Sequence, residues 1–512
     1  MRILIVSPRF PPSNGPDMQR VRLVLPYLRE QGVDADILCV EPAQVAAPQD
    51  SWLAASLPTD VLVHRVKALD RKWGRVPGLG SLTFRALGAL RRRGDVLLRD
   101  GRFELVYFST TEFGLHVMGP RWKRKFGVPF IMDYQDPWVS DYYREHPEVT
   151  PPGGRLKYGI ASWLNRRQEP KVLRECSGIT SVSAAYPKQL AKRYSWLRIG
   201  LERRARPPVA EGVENEGEGS ACFDDSISFH AAGEKSADRA GSALPVIVLP
   251  FPGDERDFDR VKAENVKQKV FDPNDGLIHW VYVGVCPPSM VLAVRAMFAA
   301  ISGRGGRPRP TLTAPKSVGS LKFGGLDDSV ASCADGDKWD TPAGRTLPSN
   351  VRLHFIGTSY AAAGTGKKIV EPLAEEYGLR GMVRETTDRI TYSETLRCLL
   401  DAVALIVPGS DDPGYTASKI YPYLLARKPL LAVFHEQSSV VNLIRKVGGG
   451  TVIPFKTGET VDSIAARIGN EWLAAGGANR AVSLDEEGFA PYTAREQARQ
   501  LTEFFGEVLG RA

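Results

Sequence analysis

The sequence predicts an α/β protein made of two facing Rossmann-like domains with a cleft between them. Short apolar runs alternate with amphipathic segments in both halves of the chain, which is the pattern of parallel sheets covered by helices. A polar, aperiodic stretch at residues 201–244 separates the two alternations, and its composition predicts a flexible insertion. A second insertion is predicted at residues 303–347. The chain has 512 residues, 43% of them hydrophobic, so it is long enough to bury two cores.

Composition and charge narrow the range of partners. The net charge of +8 and the pI of about 9.1 favour anionic partners such as phosphorylated ligands, an anionic membrane surface or nucleic acid. The six cysteines are scattered without close pairs, which is typical of a reducing cytosol and not of zinc sites or disulfide frameworks. The apolar run at the N-terminus is too short for a signal peptide, and no run approaches the roughly 20 apolar residues of a membrane span. We therefore expect a cytoplasmic protein.

The chain opens with a strand, a loop, a helix and a second strand. We predict the strands at Arg2–Ser7 and Val33–Val40 and the helix at Val21–Gln31. The loop before the helix contains Asn14 and Gly15 but no G-x-G-x-x-G, so the dinucleotide-binding fingerprint is absent. Gly15 either lets the backbone approach a ligand or makes a simple turn, and the sequence leaves both interpretations open.

Two carboxylates follow the next buried strands of the first half. Strands are predicted at Glu104–Phe108, Val128–Met132 and Gly178–Ser183. The second of them runs into Asp133 and Asp136, close to Trp138. Carboxylates at the carboxyl end of a parallel strand, beside an aromatic ring, predict a site for proton transfer or for binding sugar hydroxyls. The alternative is that Asp133 only caps the turn.

Three segments of the first half combine basic with apolar residues. Arginine and lysine alternate with leucine, phenylalanine and tryptophan at residues 65–95, and the same mixture returns at Pro120–Gly127 and Trp163–Arg167. Such segments can lie on an anionic bilayer, so we expect contact with the cytoplasmic face of a membrane. A basic face that is merely solvated is the alternative.

The second half repeats the alternation of strands and helices. We place the domain hinge near residues 245–260, a range that begins with the strand Pro245–Pro250, and predict a terminal helix at Thr493–Leu509. Five more strands are predicted, at Ile278–Val283, Arg352–Ile356, Ala402–Val407, Leu430–Phe434 and Thr451–Ile453.

Residues 410–429 form the most informative stretch of the second half. They link two apolar strands through a polar loop and a short helix, which is a crossover unit of a parallel sheet. In such sheets ligands bind beyond the carboxyl ends of the strands. Thr416 and Ser418 are suitable helix N-caps, and Lys419 would offer an ammonium group to an anion. An ordinary loop and helix is the alternative.

The order and spacing of several segments resemble glycosyltransferases of the B-type fold, near the family-4 group. The segments span most of the chain and include MRILIVSPRFPPSNG, PFIMDYQDPW, LPFPGDERDF and SKIYPYLLARKPLLA. The resemblance implies an acceptor-side domain at residues 1–200, a donor-side domain at 245–490 and a final helix at 491–512 that returns to the first domain. It implies transfer of a hexose-type sugar from a nucleotide-sugar donor to a hydroxyl of a glycan or lipid-linked glycan, with retention and without a metal or other cofactor.

The resemblance also assigns roles to individual residues. Asp136 would orient or deprotonate the acceptor, with Asp133 in support, and Asn14 and Gly15 would form the acceptor-side loop. The donor would be held by Ser418 and Lys419 at phosphate, by Arg389 at the leaving group, by Asp411 and Asp412 at sugar hydroxyls, and by Gly357 and Tyr415.

The chain departs from the family pattern at three places. Gly414 and Pro422 stand where the family has two glutamates eight residues apart, and Gly284 is followed by no basic residue. These departures leave a second interpretation open, a catalytically inactive binding or scaffold protein in polysaccharide assembly. Nucleic acid is not an expected partner. The positive net charge is the only feature that favours it, and the sequence contains no recognised nucleic-acid-binding motif.

Overall fold

The described part of the chain folds around two separate parallel sheets. A computed structural model describes residues 1–70, 72, 80–145, 151, 154–201, 243–303, 350–361 and 364–511. Within these residues one sheet has eight strands and the other has six. The predicted insertions at 201–244 and 303–347 lie outside the described residues, apart from residues 201, 243, 244 and 303. The two sheets confirm the predicted fold class.

The first sheet carries the N-terminal domain. Its strands are all parallel and run in the order β3-β2-β1-β4-β5-β6-β8-β7. They are β1 Arg2–Val6, β2 Asp34–Val40, β3 Val63–Val66, β4 Leu105–Ser109, β5 Phe130–Tyr134, β6 Gly178–Ser181, β7 Ile199–Leu201 and β8 Leu244–Val248. Central strands such as β1 and β4 are buried on both faces, and this explains why their sequences are unbroken apolar runs.

Helices cover both faces of the first sheet. They are α1 Gln19–Glu30, α2 Ser51–Ala55, α3 Leu82–Arg99, α4 Met118–Phe126, α5 Tyr142–Glu145, α6 Arg155–Leu173 and α7 Ala185–Arg193. One core cluster lies under α3 and α4, and the other lies under α1. The C-terminal helix also joins the second cluster, through Leu501, Phe504 and Phe505.

The second sheet carries the C-terminal domain, in the order β11-β10-β9-β12-β13-β14. Its strands are β9 Ile278–Val283, β10 Val351–Ile356, β11 Val383–Thr386, β12 Ala404–Pro408, β13 Leu430–His435 and β14 Thr451–Phe455. Its helices, with the last one returning to the first domain, are α8 Glu255–Ala263, α9 Val291–Ser302, α10 Val370–Glu376, α11 Tyr392–Asp401, α12 Ile420–Leu425, α13 Ser439–Val447, α14 Val461–Ile468, α15 Glu486–Phe489 and α16 Ala494–Val508.

The domain boundary lies later in the chain than residue 245. Strand β8 pairs with β6 and β7, so it completes the first sheet and does not open the second. The first element packed into the core of the second domain is α8, whose Phe258 and Val261 are buried there. The apolar run of β8 follows an insertion, and its own sequence does not indicate which of the two sheets it joins. This explains why the second domain was predicted to begin at residue 245.

The two domains are joined by a buried ion pair. Arg22 of α1 donates from both terminal nitrogens to Asp257 of α8, over 3.0 and 2.6 Å. The hydroxyl of Tyr392, at the start of α11, donates to the same carboxylate over 3.1 Å. These contacts link both domains beside the cleft. No helix in the described ranges is both long enough and apolar enough to cross a bilayer.

Candidate active site between the domains

A cavity of about 410 Å³ lies between the two domains, where the carboxyl ends of their strands face each other. The first domain contributes Asn14, Asp17 and Asp136 to its wall, and the second contributes Gly357, Arg389 and Lys419. Several of these residues stand in loops that directly follow a strand, as ligand-binding residues do in parallel sheets. The cavity is therefore the candidate active site.

Asp136 stands two residues beyond β5, and its carboxylate opens onto the cavity. Within the described part of the chain it has no hydrogen-bond or ion-pair partner. Surrounding protein atoms reduce its solvation, and the nearby charge of Asp17 adds repulsion, so the pKa of Asp136 is raised to about 6. A carboxylate with a pKa close to neutral is suited to accepting a proton from a bound hydroxyl.

Asp17 is a second carboxylate of the site, which the sequence analysis missed. Its Oδ2 accepts hydrogen bonds from Arg9, from the Thr110 hydroxyl and from the backbone N–H of Thr111, over 2.8 to 3.2 Å. Its Oδ1 is buried and has no hydrogen-bond partner in the described ranges. The residue follows Asn14 and Gly15 in the loop after β1, so the loop was identified but its carboxylate was not.

Asp133 does not belong to the cavity wall. It lies at the end of β5 with no exposed surface, and it accepts hydrogen bonds from Ser109, Gln135 and Thr180 over 2.8 to 2.9 Å. Arg20 Nε lies 3.0 Å from the same carboxylate. This position does not support the predicted catalytic role. The hydrogen-bond partners surround the Asp133 carboxylate and separate it from the cavity. Its contacts tie neighbouring strands and α1 together.

Lys419 projects from the loop between β12 and α12 towards the end of β9. Its ammonium group donates a hydrogen bond of 2.7 Å to the Tyr282 hydroxyl and forms no ion pair with a described residue. Burial lowers the pKa of Lys419 to about 8, because a charged amine loses favourable hydration there. A side chain at Gly284 would occupy the same space, since its Cβ would lie 2.2 Å from Lys419 Nζ. The absence of a side chain at Gly284 thus leaves room for Lys419.

Arg389 lies on the second-domain side of the cavity and has no ion-pair partner among the described residues. Its loop is fixed by a capping box at the start of α11, in which Thr391 and Glu394 bond each other's backbone N–H groups. Tyr360 is close enough to both Arg389 and Asp136 for their charges to act on its hydroxyl. Gly357, with φ of +72°, lets the backbone turn sharply beside Arg389.

The remaining donor-side predictions divide into two groups. Ser418 and Tyr415 line the cavity, whereas Asp411 and Asp412 do not. Asp412 caps its own turn by accepting a 2.8 Å hydrogen bond from the N–H of Gly414. The predicted N-caps are wrong, because the residue at the N-cap of α12 is Lys419 and no side chain caps the helix.

On the acceptor side, Asn14 lines the cavity and Gly15 does not. A Cβ at Gly15 would lie 2.9 Å from Arg9 and 3.0 Å from Asp17 Oδ1. Gly15 is therefore needed for close packing of its own loop, and this favours the simpler of its two interpretations.

Comparison with known proteins relates a segment of the first domain to a family. Residues 19–196 match the Glycosyl transferase 4-like domain. This segment of the first domain is therefore similar to that family. The match covers α1, the strands from β2 to β6 and the loop that carries Asp136. No curated protein sequence matches the chain.

Three solved structures share the fold of the whole chain, each with a TM-score of 0.51. Anabaena HepE, in complex with UDP and glucose, is 13% identical, with 99% of each chain covered. A glycosyltransferase from Rickettsia africae is 9% identical over 100% of this chain and 99% of its own. A UDP-forming α,α-trehalose-phosphate synthase from Burkholderia xenovorans is 12% identical, with 99% of this chain and 98% of the synthase chain covered. These likenesses confirm the two-domain, B-type glycosyltransferase fold.

The two domains present groups of opposite charge to the cavity. The first domain offers the carboxylate of Asp136, whereas that of Asp17 is paired with Arg9. The second domain offers the cations of Arg389 and Lys419. An anionic ligand is therefore favoured on the second-domain wall and a hydrogen-bond donor on the first.

Proposed function

We propose that the protein is a glycosyltransferase that moves a sugar from a nucleotide-sugar donor to a hydroxyl of a glycan or lipid-linked glycan. One observation carries this proposal. Two cations of the second domain, Arg389 and Lys419, lack carboxylate partners in the described chain and share a cavity with Asp136, a carboxylate of the first domain that also lacks a partner. Transfer between two substrates needs such a site, with an anion-binding wall opposite a hydroxyl-binding wall.

The donor diphosphate would lie against the second domain. A desolvated ammonium such as that of Lys419 recovers favourable interactions when an anion takes the place of water. Arg389 can bind a second phosphate oxygen with its planar fork of donors. Both cations would stabilise the negative charge that develops on the leaving diphosphate, which is the main electrostatic task in this reaction.

The acceptor hydroxyl would lie against the first domain. Asp136, with a pKa of about 6, is ionised at neutral pH and can orient the hydroxyl or accept its proton. The resemblance to family-4 enzymes adds retention of anomeric configuration and independence of metal to this proposal.

A titration-calorimetry series with UDP, GDP and ADP tests the donor part. UDP is the first probe, because the HepE structure is a complex with UDP and the trehalose-phosphate synthase is UDP-forming. We expect one of the three to bind the wild-type protein with an affinity that falls as salt screens the phosphate contacts. Absence of binding by all three nucleotides would contradict the proposal.

A binding protein without transferase activity is the second candidate, and Gly414 and Pro422 favour it. Neither residue has a side chain that can accept a hydrogen bond from a sugar. Pro422 is the third residue of helix α12. Release of nucleoside diphosphate from the matching nucleotide sugar separates the candidates. A transferase releases it in wild type and loses most of this activity in Asp136→Asn, with nucleotide affinity retained. A binding protein releases none in either form.

A further inference from the structure

Helix α6 carries an exposed apolar stripe. Leu156 is 80% exposed, Ile160 50%, Trp163 53% and Leu164 42%. Their spacing places them on one face of the helix, because residues three, four and seven positions apart are neighbours along its surface. Exposed apolar side chains are common as single residues, but four in one stripe mark an interaction surface.

The amphipathicity of α6 is reversed relative to an ordinary surface helix. The side chains that face the protein in its first three turns are polar, and they include Tyr158 and Asn165. The hydroxyl of Tyr158 donates to the Ser140 carbonyl over 3.1 Å, and the Asn165 amide donates to the Trp138 carbonyl over 3.4 Å. Helices that pack on a core turn their apolar face inward. The apolar stripe of α6 is therefore not used by the fold.

The exposed charges of α6 itself are all positive, and one of them, Arg166, pairs with Asp141 beside the helix. The exposed charged residues of α6 are Arg155, Lys157, Arg166, Arg167 and Lys171. The guanidinium of Arg167 lies 4.3 Å from the ring centre of Trp163, so a cation and an aromatic ring are presented together. The acidic residue of the helix, Glu169, is buried and is bound by Tyr194 over 2.6 Å. Of these cations, Lys157, Arg167 and Lys171 form no ion pair with a described residue, and they border the stripe.

We propose that this face of α6, Leu156 to Arg167, docks on an anionic lipid bilayer. An interfacial helix buries apolar side chains at the level of the headgroups while lysine and arginine bind the lipid phosphates. A second copy of the chain is disfavoured as the occupant, because two such faces would bring like charges together. Docking does not depend on the proposed transferase activity, and it would hold the Trp138–Ser140 segment, close to Asp136, near the membrane.

Sedimentation with lipid vesicles tests the proposal. Wild-type protein should bind vesicles of phosphatidylcholine mixed with phosphatidylglycerol and should bind phosphatidylcholine vesicles only weakly. The double variant Leu156→Ser/Trp163→Ser should bind the mixed vesicles about tenfold less tightly, since it removes most of the inserted apolar surface. Leu62→Ser is the matched control, because Leu62 is 54% exposed in the same domain but away from α6. It should bind as wild type does.

A charge variant and a mass measurement complete the test. Lys157→Glu/Arg167→Glu should lose the preference for anionic vesicles, and salt should weaken wild-type binding in the same way. Equal binding of wild type and the double variant to mixed vesicles would overturn the proposal. So would light scattering that shows a wild-type dimer dissociated by Leu156→Ser, because the stripe would then be an interface between copies. Circular dichroism establishes that each variant is folded.

Discussion

The ammonium group of Lys419 lies 4.6 Å from the ring centre of Tyr282 and donates a 2.7 Å hydrogen bond to its hydroxyl. A cation held by an aromatic residue, without a carboxylate in the described chain, keeps its full charge available to a ligand. The contact also fixes the direction of the side chain, because Tyr282 is fully buried at the end of β9. Lys419 is therefore pre-organised at the wall that we assign to the diphosphate.

Gly284→Ala tests whether this position matters. The new Cβ would lie 2.2 Å from Lys419 Nζ, so the ammonium must move away from the site. We expect calorimetry to show at least tenfold weaker nucleotide binding, about 1.4 kcal/mol, together with a modest loss of stability from backbone strain at φ of +153°. Gly414→Ala is the control, because its Cβ would meet only Asp412 Oδ1 at 3.4 Å. Wild-type affinity in Gly284→Ala would show that the placement of Lys419 is irrelevant.

The pH dependence of transfer should be bell-shaped. The raised pKa of Asp136, about 6, means that the base becomes protonated and activity falls as the pH decreases through that value. The lowered pKa of Lys419, about 8, means that the cation is lost and donor binding weakens as the pH increases through that value. Profiles of kcat/KM for the donor report these groups in the free enzyme.

Variants assign the two limbs of the profile. Asp136→Asn should remove the acid limb from its residual activity, and Lys419→Met should remove the alkaline limb. An acid limb that persists unchanged in Asp136→Asn would show that another group accepts the proton.

The ion pair between Arg22 and Asp257 should contribute strongly to stability. Asp257→Asn leaves the Arg22 guanidinium buried without a counter-charge, which typically costs about 3–5 kcal/mol. Asp259→Asn removes a carboxylate of the same helix that is 72% exposed and lies 3.7 Å from Lys262, and it should change stability by less than about 0.5 kcal/mol. Urea unfolding measures both variants. Equal stability of the two would mean that the ion pair does not hold the domains together.

Periodicity in the sequence predicted most of the sheet framework. The eleven predicted strands lie within two residues of the observed ones at either end, because buried parallel strands are continuous apolar runs with polar neighbours. Short or half-exposed strands were missed. In β11 buried and exposed residues alternate over only four positions, and β3 lies at the edge of its sheet, so neither resembles a buried run.

The candidate site was predictable in part. Asp136 and Lys419 were found because one follows a predicted strand and the other opens a predicted helix, which are local features of sequence. Arg389 was named through the family resemblance. The structural role of Asp133 could not be found in this way, because its partners come from β4, β6 and α1 and meet only in the folded domain. Asp17 was missed for the same reason, since the contacts of its Oδ2 come from the start and the middle of the first domain.

The central claim is that Lys419 binds the diphosphate of a nucleotide donor, and calorimetry on Lys419→Met tests it most directly. Removal of a charge-assisted hydrogen bond should weaken binding of the nucleoside diphosphate by about 1.5–3 kcal/mol, roughly tenfold to more than a hundredfold. Lys446→Met, which removes an exposed lysine of α13, is the matched control and should bind as wild type does. Wild-type affinity in Lys419→Met, with the protein folded, would contradict the account and place the diphosphate elsewhere.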